Sequence, residues 1–158
     1  MLNTIIGSYE CKVDAKGRLL LPSPLKKQLN TTLQEGFVLK RSVFDTCLEL
    51  WPMTEWNLMM QKINKLNRFS KKNNDFIRKF MAGVKTIDID DLGRILVPKD
   101  LLAFSQITKD VVFTSKVNIV EIWDKDLYEN AIAAGDTDFG DLAEEVMGNL
   151  IQNEDGIS

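Results

Sequence analysis

Asp14-Ala15-Lys16-Gly17-Arg18-Leu19-Leu20-Leu21-Pro22 returns 76 positions later as Asp90-Asp91-Leu92-Gly93-Arg94-Ile95-Leu96-Val97-Pro98. At the same offset Leu25 matches Leu101, Phe37 matches Phe113 and Lys40 matches Lys116. Further on the offset falls to 72: Glu49-Leu50-Trp51 matches Glu121-Ile122-Trp123, and Trp56 matches Tyr128. One connection of the second copy is therefore four residues shorter. The chain holds two copies of one supersecondary unit, and the fold has to use both.

Within each copy the local chemistry reads the same way. Tyr9, Cys11 and Val13 alternate with Glu10, Lys12 and Asp14, the period of a half-buried strand. Val84, Thr86, Ile87 and Ile89 lead less cleanly into the second copy. Asp14 and Asp90 are turn residues that can catch nearby amides, and Gly17 and Gly93 supply positive φ without steric cost. Two apolar triplets, Leu19 to Leu21 and Ile95 to Val97, leave those turns as strands. Pro22-Ser23-Pro24 opens a short helix through Leu29, with Ser23 expected at the N-cap and Pro24 at the first helical position. Residues 37–39 and 47–51 then form a second strand pair, repeated at 111–113 and 119–123.

Between the copies the period changes. Trp56, Met59, Met60, Ile63 and Leu66 fall at helical spacing after Thr54, a candidate N-cap. Phe76, Ile77 and Phe80 predict a second short helix ending near Gly83. The Met and aromatic stripe reads as core packing. The organisation is thus one repeat over 5–54, a helical insert over 55–82, a second repeat over 83–128 and an acidic tail over 129–158.

Composition excludes several classes of function. The 158 residues contain no histidine, which removes the commonest general base and metal ligand and every Ser-His-Asp or Cys-His arrangement. Cys11 and Cys47 form no CxxC pair, so no structural zinc site is expected; both read as small core residues in a reducing compartment. Asp88, Asp90 and Asp91 form a carboxylate cluster, but no nucleophile–base pair, Walker-type loop or dinucleotide fingerprint accompanies it. No catalytic residue, metal, cofactor or small-molecule substrate is assigned. The N-terminus lacks the basic and apolar regions of a signal peptide, and no apolar run approaches the ~18 residues of a membrane span. The expected setting is the cytoplasm.

The net charge of −3 conceals a polarised chain. Residues 1–82 carry 14 Lys/Arg and 7 Asp/Glu, and residues 83–158 carry 6 and 16. Such a chain can present one basic face despite an acidic average. Lys12, Lys16 and Arg18 gather around the first turn, where cations on a protruding hairpin can meet phosphates and an arginine can read guanine in a major groove. The bland alternative for Arg18 is a salt bridge to Asp14, four residues away, or to an acidic group in the neighbouring unit.

The doubled Asp-x-x-Gly-Arg-(apolar)₃-Pro motif, each copy followed by Glu-(Leu/Ile)-Trp, resembles the MraZ family of bacterial transcriptional regulators of the division and cell wall gene cluster. The resemblance covers roughly residues 5–130, with the acidic tail beyond about Asp136 outside it. It implies an α+β, β-rich fold: a double-split barrel of two AbrB-like swapped-hairpin repeats with short flanking helices. It also implies ring-shaped homo-oligomers, sequence-specific binding of double-stranded operator DNA, and an association with the nucleoid. Roles in DNA binding carry over to Arg18, Arg94 and Lys16; the second copy has Leu92 where the first has Lys16. The competing class is a protein-interaction ring or antitoxin-like module on the same fold. The tail, without Lys or Arg after Lys125, is broken by Gly135 and Gly140 and reads as a solubilising, partly disordered end; the sharper expectations are that it opposes the basic first half, or that it docks Leu142, Val146 and Leu150 on an apolar groove of the same or a neighbouring subunit.

Overall fold

A computed structural model of the chain describes residues 4–30, 33–135 and 138–156, with side chains to Leu150. Eight strands and six helices are present among them. The first copy supplies β1 (Ser8–Lys12), β2 (Arg18–Leu20), α1 (Ser23–Gln28), β3 (Phe37–Arg41) and β4 (Leu48–Pro52). The insert is α2 (Met53–Asn64) and α3 (Lys71–Met81). The second copy supplies β5 (Lys85–Ile87), β6 (Arg94–Leu96), α4 (Lys99–Ser105), β7 (Asp110–Lys116) and β8 (Ile119–Asp124), followed by α5 (Lys125–Ala133) and α6 (Phe139–Gly156). The architecture is α+β. Helices hold more residues than strands, so β-rich describes the centre of the molecule rather than the chain.

The residues up to Tyr128 form one compact unit and those from Glu129 a second. In the first, all pairing is antiparallel. A six-stranded sheet runs β1-β7-β8-β4-β3-β5, and β2 pairs with β6 in a separate two-stranded ribbon. The copies exchange strands: β1 adds to the second copy's β7, and β5 adds to the first copy's β3. A pseudo-two-fold axis relates them. It passes between Glu49 and Glu121, paired across β4 and β8, and between Leu19 and Ile95, paired across the ribbon.

Alternation along each strand gives the sheet two packed faces. Phe37, Leu39, Leu48, Leu50, Phe113 and Ile122 pack with Leu19 and Ile95 of the ribbon and with Leu25 and Leu101 of α1 and α4. On the other face Val38 and Trp51 pack with Trp56, Ile63 and Phe80 of the insert. The stripe read as core is core there: Trp56 stacks on Phe80 with centroids 5.9 Å apart, and its edge meets Trp51 at 5.6 Å. Cys47 is fully buried beside Trp123 and Val112. Cys11 is half-buried, and burial pushes its thiol up to about 11, so it stays protonated at neutral pH.

Three local expectations are corrected. Ser23 is the first residue of α1, and Pro22 takes the N-cap without any side-chain cap bond. Pro52, not Thr54, caps α2. Both prolines sit at φ −56 with extended ψ, so the ring itself sets the entry that a capping hydroxyl was expected to provide. Gly140 lies inside α6 instead of breaking it, because a glycine in the first turn costs about 1 kcal/mol and the helix runs 18 residues. Ser70 does cap α3, accepting from Asn73 N–H.

Each Glu-x-Trp strand carries its own lock. The Trp51 indole donates to Glu49 at 3.1 Å, and the Trp123 indole to Glu121 at 3.0 Å. Lys40 lies 3.7 Å from Glu49, and Lys116 lies 3.5 Å from Glu121. The first lock is buried because Phe80 of the insert covers the Lys40 ammonium at 4.3 Å; the second copy has no insert, and Lys116 is half exposed. Burial draws the Lys40 ammonium below its usual range, and Glu49 opposes that shift. Breaking one partner of a buried pair strands the other. Glu49→Leu is expected to cost about 3–5 kcal/mol in denaturant unfolding, and Lys40→Met in the same chain to recover much of it. The loss from Glu121→Leu should be smaller, because Lys116 keeps water.

Candidate nucleic-acid interface

The site is built on the two turns. Asp14 Oδ1 accepts from Lys16 N–H and Arg18 N–H, both at 2.9 Å, and the Arg18 Nε–H donates to Asp14 Oδ2 at 2.7 Å. Gly17 N–H returns to Asp14 O at 3.0 Å with φ +84, a conformation glycine reaches freely. The second turn repeats this atom for atom. Asp90 Oδ1 accepts from Leu92 at 3.0 Å and Arg94 at 2.8 Å, Arg94 Nε–H reaches Asp90 Oδ2 at 2.9 Å, and Gly93 has φ +80. Hydrogen bonds to the charged form, led by the Arg18 and Arg94 amides, hold both carboxyls below the usual carboxylate range. The salt bridge weighed for Arg18 is therefore present, and Arg94 has its equal. Both clamps use Nε alone, which leaves the terminal amino groups of each guanidinium for an outside acceptor.

The ribbon sets where those guanidiniums stand. Arg18 pairs with Leu96, Leu19 with Ile95, and Leu20 with Arg94. Leu19 and Ile95 are fully buried, so their neighbours form the outer face. Arg18 and Arg94 are diagonal neighbours on that face, about 7–8 Å apart by strand geometry. Leu20 and Leu96 fill the other diagonal, each more than half exposed. Lys16 sits at the exposed tip of the first turn and Leu92, 66% exposed, at that of the second. Lys12 is not in the ribbon: it lies on β1, opposite Asp110 of β7. Asp90 is committed to its own turn, and no group of three potential metal ligands gathers among the described residues.

Two features of this face escape the motif. Exposed Leu20 and Leu96 are one. The other is Lys26 of α1, whose ammonium would stand 3.1 Å from a Cβ added at Gly93. Over Gly17 the same place is taken by Leu102 of α4, also at 3.1 Å. Positions 26 and 102 differ by the repeat offset of 76. Each turn thus carries one lysine and one leucine: Lys16 with Leu102, and Leu92 with Lys26. The missing second-copy lysine is replaced across the axis, and the offset was the available signal.

A family model described as "MraZ protein, putative antitoxin-like" matches residues 4–79 and again 80–149. The second match runs past residue 130, where the motifs end, and takes in most of α6, an element with its own apolar period. The chain is 71% identical to the transcriptional regulator MraZ of Flavobacterium psychrophilum over 99% of its own length and 100% of that protein. It is 61% identical to the protein of that name from Christiangramia forsetii over the full length of both. With that from Cytophaga hutchinsonii it shares 38% identity over 89% of this chain and 93% of that one.

The clamps titrate in a defined window. Each carboxyl sits lower in the folded chain than its ordinary 3.8, so the stability it lends is present above 3.8 and is lost as pH falls through the lower folded value. Carboxyl-carbon NMR titration is expected to place both Asp14 and Asp90 below 3.8. Titration of both at 3.8 would mean that the clamps do not hold in solution.

Proposed function

Because the chain belongs to the MraZ family, we propose that it regulates transcription by binding operator DNA of the division and cell wall gene cluster in a sequence-specific way. The observation that carries this is the outer face of the β2–β6 ribbon, where two arginines stand as diagonal neighbours with their terminal amino groups uncommitted. A two-stranded ribbon fits a major groove, and arginine presents two donors to guanine O6 and N7. Lys16 and Lys26, one beside each turn, meet the phosphates. Lys12, on the neighbouring strand, adds to the field rather than to the reading.

The strand exchange is read as the double-split barrel of two AbrB-like repeats. The binding form is a ring of identical subunits, whose ribbons add through effective concentration what one hairpin lacks. Its place is the cytoplasm at the nucleoid, and among the described residues no helix is long and apolar enough to cross a membrane. The reading includes no catalysis, cofactor or small-molecule substrate. Leu20, Leu92 and Leu96 favour a second reading, in which this face grips a protein as an antitoxin-like module. Salt separates the two, because counterion release makes DNA affinity fall steeply with salt.

The test is a mobility shift on DNA from upstream of the protein's own gene. Arg18→Ala and Arg94→Ala are expected to weaken specific binding by about 1–3 kcal/mol each and to relax preference at one base pair. Lys16→Ala and Lys26→Ala should weaken all sequences alike and flatten the salt slope by about one unit each. Unchanged affinity in all four variants, with assembly intact, removes the ribbon as the reading element.

A further inference from the structure

We propose that the cationic, aromatic groove around Arg41 receives the apolar and acidic face of α6 from a second copy of this chain. The inference rests on the ring named above and identifies the two surfaces that join its neighbours.

Arg41 ends β3, and among the described residues it has no ionic partner. Its guanidinium lies over the Phe104 ring at 4.9 Å and packs against Gly83, where a Cβ would stand 3.1 Å from Nε. Among the described residues the side chain makes no hydrogen bond or ion pair, and its Nε is the one buried side-chain nitrogen or oxygen without a partner. A buried N–H left unpaired is costly, and such groups are rare enough to call for an explanation. An acceptor arriving from outside supplies it. The groove beside Arg41 holds about 380 Å³ and is lined by Val43, Phe76, Lys79 and Phe80 as well as Phe104. Among the described residues Lys79 has no ion pair either. Val43 and Phe76 are about half exposed, and Phe44, next along the loop, is 90% exposed. The surface asks for apolar side chains that bring carboxylates with them.

α6 has that composition. Phe139, Leu142, Val146 and Leu150 recur at intervals of three and four, which places them on one helical face, and all are about half exposed or more. Glu145 lines one edge of that stripe, with Asp141 one turn before it and further round the helix. No Lys or Arg follows Lys125, so nothing basic on this helix competes for its carboxylates. A helix laying an apolar stripe into a groove, with acids at its edge on unpaired cations, is a recurring mode of recognition. Two different surfaces on one chain make a heterologous contact, which closes a ring when its rotation closes.

Sedimentation of the full chain tests this. Arg41→Glu, with Lys79→Glu as a milder second variant, removes the groove; Leu142→Glu with Val146→Glu removes the helix face. Circular dichroism and a cooperative melt check that each folds. Each variant alone is expected to sediment at 18.0 kDa. An equimolar mixture of a groove variant and a helix variant should form a dimer and nothing larger, since one intact groove meets one intact helix and the remaining surfaces are dead. Variants that keep the wild-type size overturn the contact and leave the ring reading standing. Monomeric variants whose mixture stays monomeric also overturn it. A wild-type chain that is itself a monomer overturns both.

Discussion

Two hydrogen bonds hold the copies to each other at the point where each turn ends. Val97 N–H donates to Gly17 O and Leu21 N–H donates to Gly93 O, both at 2.9 Å. Each glycine, turned by its positive φ, offers its carbonyl to the strand that leaves the opposite turn. Neither copy is then complete by itself. A half-chain would leave β2 unpaired and expose the edges of β3 or β7, where β5 and β1 now lie. The ribbon, its buried Leu19 and Ile95, and the placing of Arg18 beside Arg94 all follow from that crossing.

The turn chemistry was legible because it is local. Asp, Gly and Arg at fixed spacing allow one set of contacts within five residues, and both copies make it. The insert helices were legible from their period. The exchange of β1 and β5 was not, because a repeat says that two units exist and not which strand pairs with which. Nor was the exposure of Leu20 and Leu96: an apolar triplet is too short to carry a period, and the partner strand decides its face. Helix entry at Pro22 and Pro52 went to backbone geometry over hydroxyl caps. Arg41 gave no signal at all, since an arginine ending a strand is ordinarily solvated, and only Gly83 and Phe104 bring it under cover.

Pseudo-symmetry also settles how the chain spends its charge. Glu49 and Glu121 face each other across the axis, an arrangement that like charges resist in low dielectric. It persists because each carboxylate is separately tied to its own tryptophan and lysine. Once the axis is neutralised in this way, the copies are free to differ outside it. The insert covers Lys40 and leaves Lys116 wet, so one motif gives a buried pair in one copy and a screened pair in the other.

The same freedom acts on the ribbon, with a different result. Substituting Leu92 for the lysine of the first turn would make the face one-sided if the copies folded apart. Because α1 crosses to the second turn and α4 to the first, the Lys26 and Leu102 pair reverses the Lys16 and Leu92 pair. Each turn keeps one cation and one apolar side chain, arranged differently around an identical clamp. The guanidiniums are held by Nε and share a face, so their two-fold relation survives, while the surroundings do not repeat. A duplex, the ligand proposed for this face, is itself only approximately two-fold where its base steps differ. A face with equal arginines and unequal flanks is what a single chain with two diverged copies can build and a pair of identical subunits cannot.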